Sequence, residues 1–206
     1  ATELLLCCPL VMSRKRPAES MGGMASRVDH VGFAGLGAMG YHMAGHLARR
    51  HGERCFVWNR TSSKAKQHSQ EFGSTAVSKL SELGRCQVVV FCLPTSTEDE
   101  AVAEQLLPHL DREACLVSCT SGQPAVSRRL SAEYRERHGI HFLDCPVSGG
   151  PRGAAAGTLT AMLGSDSKDA ADMVQPLIES FTKKVVHCGP SGSAHAVKAV
   201  NNALNV

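Results

Sequence analysis

Gly35, Gly37 and Gly40 stand in G-x-G-x-x-G spacing inside the run VDHVGFAGLGAMGYHMAGHL, residues 28–47. Val31, Phe33 and Ala34 lead into them, and Met39, Met43, Ala44, Gly45 and Leu47 follow at helical spacing. The chemistry open to such a turn is anion binding. Gly35 permits the turn, Gly37 lets a pyrophosphate approach the backbone, and Gly40 lets the helix pack close to the strand. The helix's unpaired amides and positive dipole end then face the phosphates. A glycine triplet alone is weak evidence, but a strand before it and a helix after it predict a dinucleotide turn formed by Gly35, Leu36, Gly37, Ala38, Met39 and Gly40.

About 20 residues farther on, a dinucleotide site meets the adenosine ribose. This chain has Asn59, Arg60 and Thr61 there. An acid would accept hydrogen bonds from both ribose hydroxyls and repel a 2′-phosphate. Here the acid is absent and a cation present, so charge complementarity favours NADP, with NAD as the alternative. Thr61 can at the same time cap the following helix.

The elements that must position these residues alternate regularly. Residues 54–58 form a β-rich run and 62–72 a polar, helix-permissive one. Residues 87–93, nearly all apolar, predict a central parallel strand. Pro94 stops it, and Thr95-Ser96 open a helix to about residue 107. Ligands in open α/β sheets lie beyond the carboxyl ends of strands, so Leu93, Pro94 and Thr95 are expected to touch the cofactor, mostly through backbone. Residues 115–118 are the next strand, Pro124 suits the first turn of a helix to about residue 138, and 141–144 are a further strand. Strand alternating with helix over short connections predicts an α/β fold with a Rossmann-type, doubly wound, mainly parallel sheet.

From Cys145 the pattern changes. Residues 146–151 read as a backbone-exposing loop, 158–163 as a strand, 167–180 as a helix and 184–187 as a strand. Ser191 or Ser193 then caps a helix with no cap or glycine stop before Val206, so the chain is expected to end inside a helix. The organisation expected is a disordered leader over 1–27, an NAD(P)-binding domain over 28–190, and the beginning of that helix over 191–206, with a second domain cut away beyond it.

Composition narrows the alternatives. The chain has 206 residues, 43% hydrophobic and 20% charged, which suits a globular domain and not a disordered chain. Its net charge of +3 is small and its aromatic content of 4% offers no stacking platform for nucleic acid. No apolar run approaches the ~18–20 residues of a membrane span. The 9 cysteines show no metal-ligand spacing and are expected to be buried thiols in a reducing compartment, cytoplasmic or alternatively mitochondrial, with no metal. In the leader, Arg14-Lys15-Arg16 follows an apolar patch instead of preceding it, the wrong order for a secretory signal.

Three motifs now coincide: Val31-Gly32-Phe33-Ala34-Gly35-Leu36-Gly37-Ala38-Met39-Gly40; Asp144-Cys145-Pro146-Val147-Ser148-Gly149-Gly150 with Gly153-Ala154 and Gly157-Thr158-Leu159; and Gly189-x-x-Gly192 leading to Lys198-x-x-Asn201-Asn202. Over about residues 28–206 the chain resembles the β-hydroxyacid dehydrogenase family, which includes 3-hydroxyisobutyrate dehydrogenases and glyoxylate or succinic semialdehyde reductases, and whose cofactor domain is akin to the NADP-binding domain of 6-phosphogluconate dehydrogenase. The resemblance implies an oxidoreductase moving hydride between NADP(H) and a small 3-hydroxy acid or semialdehyde, homo-oligomeric at full length. It also implies that residues 191–206 start a long interdomain helix and that a C-terminal helical domain, missing here, completes the active site. It implies that Ser148, Gly149 and Gly150 bind the substrate carboxylate or its neighbouring oxygen, that Lys198 is the general acid/base, and that Asn202 orients the substrate. Independently, Lys198 and Asn202 are four apart on a helix and share a face, and a lysine ammonium can protonate a carbonyl as hydride arrives.

This chain departs from the family in places. The usual D-x-S-T-x-x-P loop is Ser118-Cys119-Thr120-Ser121-Gly122-Gln123-Pro124, without its acid. Thr120 and Ser121 keep hydroxyls for the substrate and the nicotinamide. Ala194 replaces a glycine, and Asn201 stands where the 6-phosphogluconate enzymes have the histidine of K-x-x-H-N, which argues against a sugar phosphate. His195, one turn before Lys198, reads as helix surface. Alternative readings are an NAD-linked 3-hydroxyisobutyrate dehydrogenase and an NADP-binding regulatory or interaction protein without turnover.

Overall fold

The computed structural model describes residues 28–204; the leader 1–27 and residues 205–206 lie outside the described residues. Strand β1 (Val31–Ala34) leads to helix α1 (Gly40–His51), β2 (Cys55–Trp58), α2 (Ser62–Phe72) and a short β3 (Thr75–Ala76). Then come β4 (Val88–Phe91), α3 (Ser96–Leu106), β5 (Cys115–Ser118), α4 (Pro124–His138) and β6 (His141–Asp144). The remainder is β7 (Val147–Ser148), α5 (Gly150–Ala156), β8 (Leu159–Gly164), α6 (Lys168–Ile178), β9 (Thr182–Gly189) and α7 (Ser193–Leu204).

Strands β3-β2-β1-β4-β5-β6 lie side by side in parallel, and β8 joins beyond β6, antiparallel to both β6 and β7 and parallel to β9. Strand order reverses at β1, whose neighbours are β2 and β4. A crevice therefore opens beyond the carboxyl ends of β1 and β4, the switch point where doubly wound sheets bind ligands.

Period-2 alternation sends successive residues of each buried strand to opposite faces. Phe33, Val88, Val90 and Val117 pack with Met43 and Leu47 of α1 and Val174 and Ile178 of α6. Val89, Phe91 and Leu116 pack on the other side with Ala103 and Leu106 of α3 and Leu130 and Tyr134 of α4. Helices cover both faces, so the central strands can be apolar throughout. Each such side chain contributes about 1.5–3 kcal/mol of burial.

The boundaries of α2, β5, α4 and β6 are those read from the sequence. Two departures bear on the site. Residues 146–151, expected as loop, hold β7 and the first turn of α5, because Ser148 pairs with Thr160 and Pro151 lacks only an N–H that the first turn of a helix leaves unpaired anyway. Strand β9 extends to Thr182–Gly189 because β8 beside it satisfies its backbone. Among the described residues no helix is long and apolar enough to cross a membrane.

Candidate functional site

The glycine turn forms the floor of the crevice. Gly35 has φ +101°, and a Cβ there would lie 2.4 Å from the Cys92 carbonyl oxygen. A Cβ on Gly40 would lie 1.9 Å from the Gly35 carbonyl oxygen, so only glycine lets α1 start against this turn. A Cβ on Gly37 would meet nothing within 4 Å, and Gly37 and Ala38 are exposed. The first turn of α1 carries no side-chain cap and no acid. Open space over bare backbone at an uncapped helix N-terminus fits a pyrophosphate, the group a dinucleotide would place there.

Asn59 serves the turn directly. Its Oδ1 accepts the Leu36 N–H at 2.9 Å and its Nδ2 donates to the Thr61 carbonyl at 3.1 Å. Arg60 and Thr61 are exposed beside the N-terminus of α2, where Thr61 occupies the cap position without a side-chain cap bond. Across the crevice Pro94 and Thr95 are exposed and Leu93 is half-buried.

The loop after β5 is tied in from several sides. Thr120 is buried, and its hydroxyl accepts the Leu93 N–H at 3.0 Å and donates to Asp99 Oδ1 at 2.7 Å. Ser118 donates to the other Asp99 oxygen. The Thr120 hydroxyl expected at the substrate is thus engaged within the protein, whereas Ser121 is exposed. Asp99 is 2% exposed, and burial pushes its carboxyl up to about 6 against the opposing effect of the two hydroxyls.

Asp144 organises the start of α7. Its carboxylate is fully buried; Oδ1 accepts the Gly192 N–H at 2.7 Å and Oδ2 the His195 N–H at 2.8 Å. The side chain of β6 therefore caps a helix 48 residues downstream. His195 corrects the sequence reading: it is 2% exposed, not helix surface. Its Nε2–H donates to the Thr120 carbonyl at 2.9 Å, and its Nδ1 accepts from the Ser127 hydroxyl at 2.7 Å. Burial lowers its pKa, outweighing the pull of Asp144 and of the Thr120 carbonyl. A backbone close approach at Gly122, where a Cβ would lie 2.6 Å from His195 Cε1, completes the seat.

Lys198 follows one turn after His195, half-buried, with no carboxylate in ion-pairing contact among the described residues. Burial lowers its pKa from the ordinary lysine value. Asn202 is exposed one turn farther along. Ser148 is half-buried on β7, and Gly149 and Gly150, with φ of +131° and +62°, are exposed after it. Hydrogen bonds join Asn59 to the glycine turn, and Leu93, Thr120, Asp144 and the α7 segment to one another; Ser148 joins them through β8, whose Gly164 pairs with Asp144. A groove of about 440 Å³ along α4, lined by Ser131, Arg135, His141 and Asp166 among others, contains none of the expected site residues.

Asp99, Asp144 and His195 are the residues whose roles the sequence did not disclose. Asp99 has the signature of an ordinary first-turn acid, favourable to a helix dipole anywhere. Among the described residues Cys55, Cys86, Cys115, Cys119 and Cys145 are buried and Cys92 and Cys188 half-buried, while Cys7 and Cys8 lie outside them. Burial pushes Cys55, Cys86, Cys92 and Cys115 up to about 12.

Residues 30–189 match the family described as the NAD binding domain of 6-phosphogluconate dehydrogenase. The chain is 35% identical over 180 residues to the NAD-dependent L-serine dehydrogenase of Pseudomonas aeruginosa, covering 86% of this chain and 59% of that protein. Among solved structures it superposes on a Mycobacterium tuberculosis 3-hydroxyisobutyrate dehydrogenase with L-serine at TM-score 0.78 and 28% identity, covering 85% of this chain and 59% of the other. It superposes on Psf3 in complex with NADP+ and 2-OPP at TM-score 0.75 and 31% identity, covering 84% and 62%. The chain thus spans about three-fifths of the relatives it matches. Glycine turn, switch-point crevice and sequence agree over the same stretch: this chain belongs to the β-hydroxyacid dehydrogenase family and carries its NAD(P)-binding domain.

Proposed function

We propose that the protein is an oxidoreductase that exchanges hydride between NADP(H) and a small 3-hydroxy acid or the matching semialdehyde, with Lys198 as the proton donor and acceptor. The observation that carries this reading is the setting of Lys198: a half-buried amine with no ion-pairing carboxylate among the described residues, on a helix whose first turn is fixed to the loop after β5. When bound, the nicotinamide supplies or accepts the hydride. Lys198 Nζ gives its proton to the substrate carbonyl oxygen in reduction and takes the hydroxyl proton in oxidation. Burial disfavours its charged form, which eases proton release. Ser148, Gly149 and Gly150 would hold the substrate carboxylate and Asn202 would orient it. The L-serine and 3-hydroxyisobutyrate named for the relatives are both 3-hydroxy acids, which supports the substrate class.

For the cofactor, Arg60 supports NADP, and a solved neighbour holds NADP+. An NAD-linked 3-hydroxyisobutyrate dehydrogenase is the second reading, favoured by the NAD-dependent Pseudomonas relative. The exposed apolar stripe of α7, Val197, Val200 and Leu204 at 44%, 59% and 79% exposure, supports a following helical domain packed against it. The test is turnover of NADPH with glyoxylate, succinic semialdehyde and methylmalonic semialdehyde, and of NADP+ with L-serine and 3-hydroxyisobutyrate, by the full-length protein. Lys198→Ala should lower kcat by about 10²–10⁴ while NADPH still binds. Undiminished turnover in that variant would overturn the assignment of Lys198.

A further inference from the structure

The loop after β5 lacks the acid that the family usually carries at its start, Ser118 standing in that place. A carboxylate nevertheless reaches the spot from another element. Asp99, on the first turn of α3, accepts hydrogen bonds from Ser118 through one oxygen and from Thr120 through the other. Thr120 Oγ1, having given its proton to Asp99, accepts the Leu93 N–H at 3.0 Å. The relay runs from Asp99 through Thr120 to Leu93, the residue that opens the loop after β4. A second tie lies alongside, the Gln123 N–H donating to Ser96 Oγ at 2.8 Å from the same turn of α3. The Thr120 carbonyl meanwhile receives His195 at the start of α7.

We propose that Asp99 is the positioning residue of the cofactor crevice, replacing from α3 the acid missing at Ser118 and fixing the loops after β4 and β5 at the separation the nicotinamide end of the cofactor requires. Asp99 touches neither cofactor nor substrate; it acts through Thr120 on Leu93 and Pro94. The geometry is specific to a carboxylate, because the site asks for two acceptors, one for each hydroxyl. An asparagine can accept from one hydroxyl and must turn its amide N–H₂ toward the other. The inference rests on the reading that the cofactor lies beyond the carboxyl ends of β1 and β4.

The experiment measures the Kd of NADPH and NADH by fluorescence titration, and hydrogen exchange of the Leu93 amide without cofactor. The variants are Asp99→Asn, Thr120→Val, Thr120→Ser and the reciprocal exchange Asp99→Ser with Ser118→Asp. Asp99→Asn and Thr120→Val should each weaken NADPH about tenfold and speed Leu93 exchange by a similar factor. Thr120→Ser keeps the hydroxyl and should bind within about twofold of the parent. The exchanged pair should recover most of what Asp99→Ser alone loses, which a purely structural role of α3 would not produce. If Asp99→Asn does not fold, Thr120→Val makes the same measurement one link along the relay. Wild-type affinity and Leu93 protection in both variants, or an exchanged pair no better than Asp99→Ser, would overturn the positioning role alone. A parent chain that binds neither NADPH nor NADH would overturn the cofactor reading and the positioning role together.

Discussion

Single atoms decide several features of this site. Gly40 is the sharpest: a methyl group there would sit 1.9 Å from the Gly35 carbonyl oxygen, so the strand–turn–helix junction must open to admit it. Gly40→Ala should therefore cost about 2–3 kcal/mol in urea unfolding and weaken the cofactor as well. Gly37→Ala should leave stability almost unchanged, since its Cβ would project into open space, while NADPH affinity falls. Arg60 is exposed just before α2, and the role proposed for it rests on its charge. Arg60→Ala should raise the Kd for NADPH about tenfold and leave that for NADH unmoved. Equal effects on both cofactors would favour the NAD-linked reading. The glycine turn was legible in the sequence because its requirement is local and needs only spacing. Asn59 could be singled out by its distance beyond the glycine turn, but its bond to the Leu36 amide depends on a contact 23 residues away.

Helix α3 shows how an element carries information its sequence hides. Asp99 faces Ser118 and Thr120 across the sheet end, Glu98 on its own helix, and the thiols of Cys92 and Cys119. Burial raises its folded pKa from 3.8 to about 6, so the native state holds this proton more tightly than the unfolded chain. Between about pH 4 and 6 the stability contributed by Asp99 consequently falls as pH rises, by about 2–3 kcal/mol at most, and the cost is fully present above pH 6. Chemical denaturation of Asp99→Asn across that window should lack this downward slope; an identical pH profile in both proteins would contradict it. Helix α7 teaches the complementary lesson. Its sequence marks Lys198 and Asn202 as one face, but His195 is turned inward because Thr120, Ser127 and Asp144 converge on it.

At the scale of the whole molecule, the sheet ends in a mixed region where β8 turns against β6 and β7. Asp144 pairs there with Gly164, whose Cβ, if present, would lie 2.5 Å from its carboxylate. The same carboxylate caps α7, so the last helix is anchored at its start while Val197, Val200 and Leu204 face solvent. Burying such a stripe is favourable in water. This chain should self-associate at tens of micromolar, and Val200→Lys should return it to a monomer in sedimentation experiments. A monomeric parent would show that the stripe alone does not drive association.

The sequence by itself determined the alternation of strand and helix, the dinucleotide turn and the family, because those rest on period, spacing and short-range motifs. It did not determine β7, only two residues long, nor that β8, legible as a strand, runs antiparallel to β6 and β7, because the partners of both come from elsewhere in the sheet. Nor did it show which polar residues hold the crevice in shape. Asp99 meets residues 19 and 21 positions away, and His195 meets one 75 positions away. Contacts of that range exist only once the sheet has brought the strand ends together, and local pattern carries no trace of them. The tertiary structure alone turned an ordinary helix acid and an apparently exposed histidine into the supports of the site.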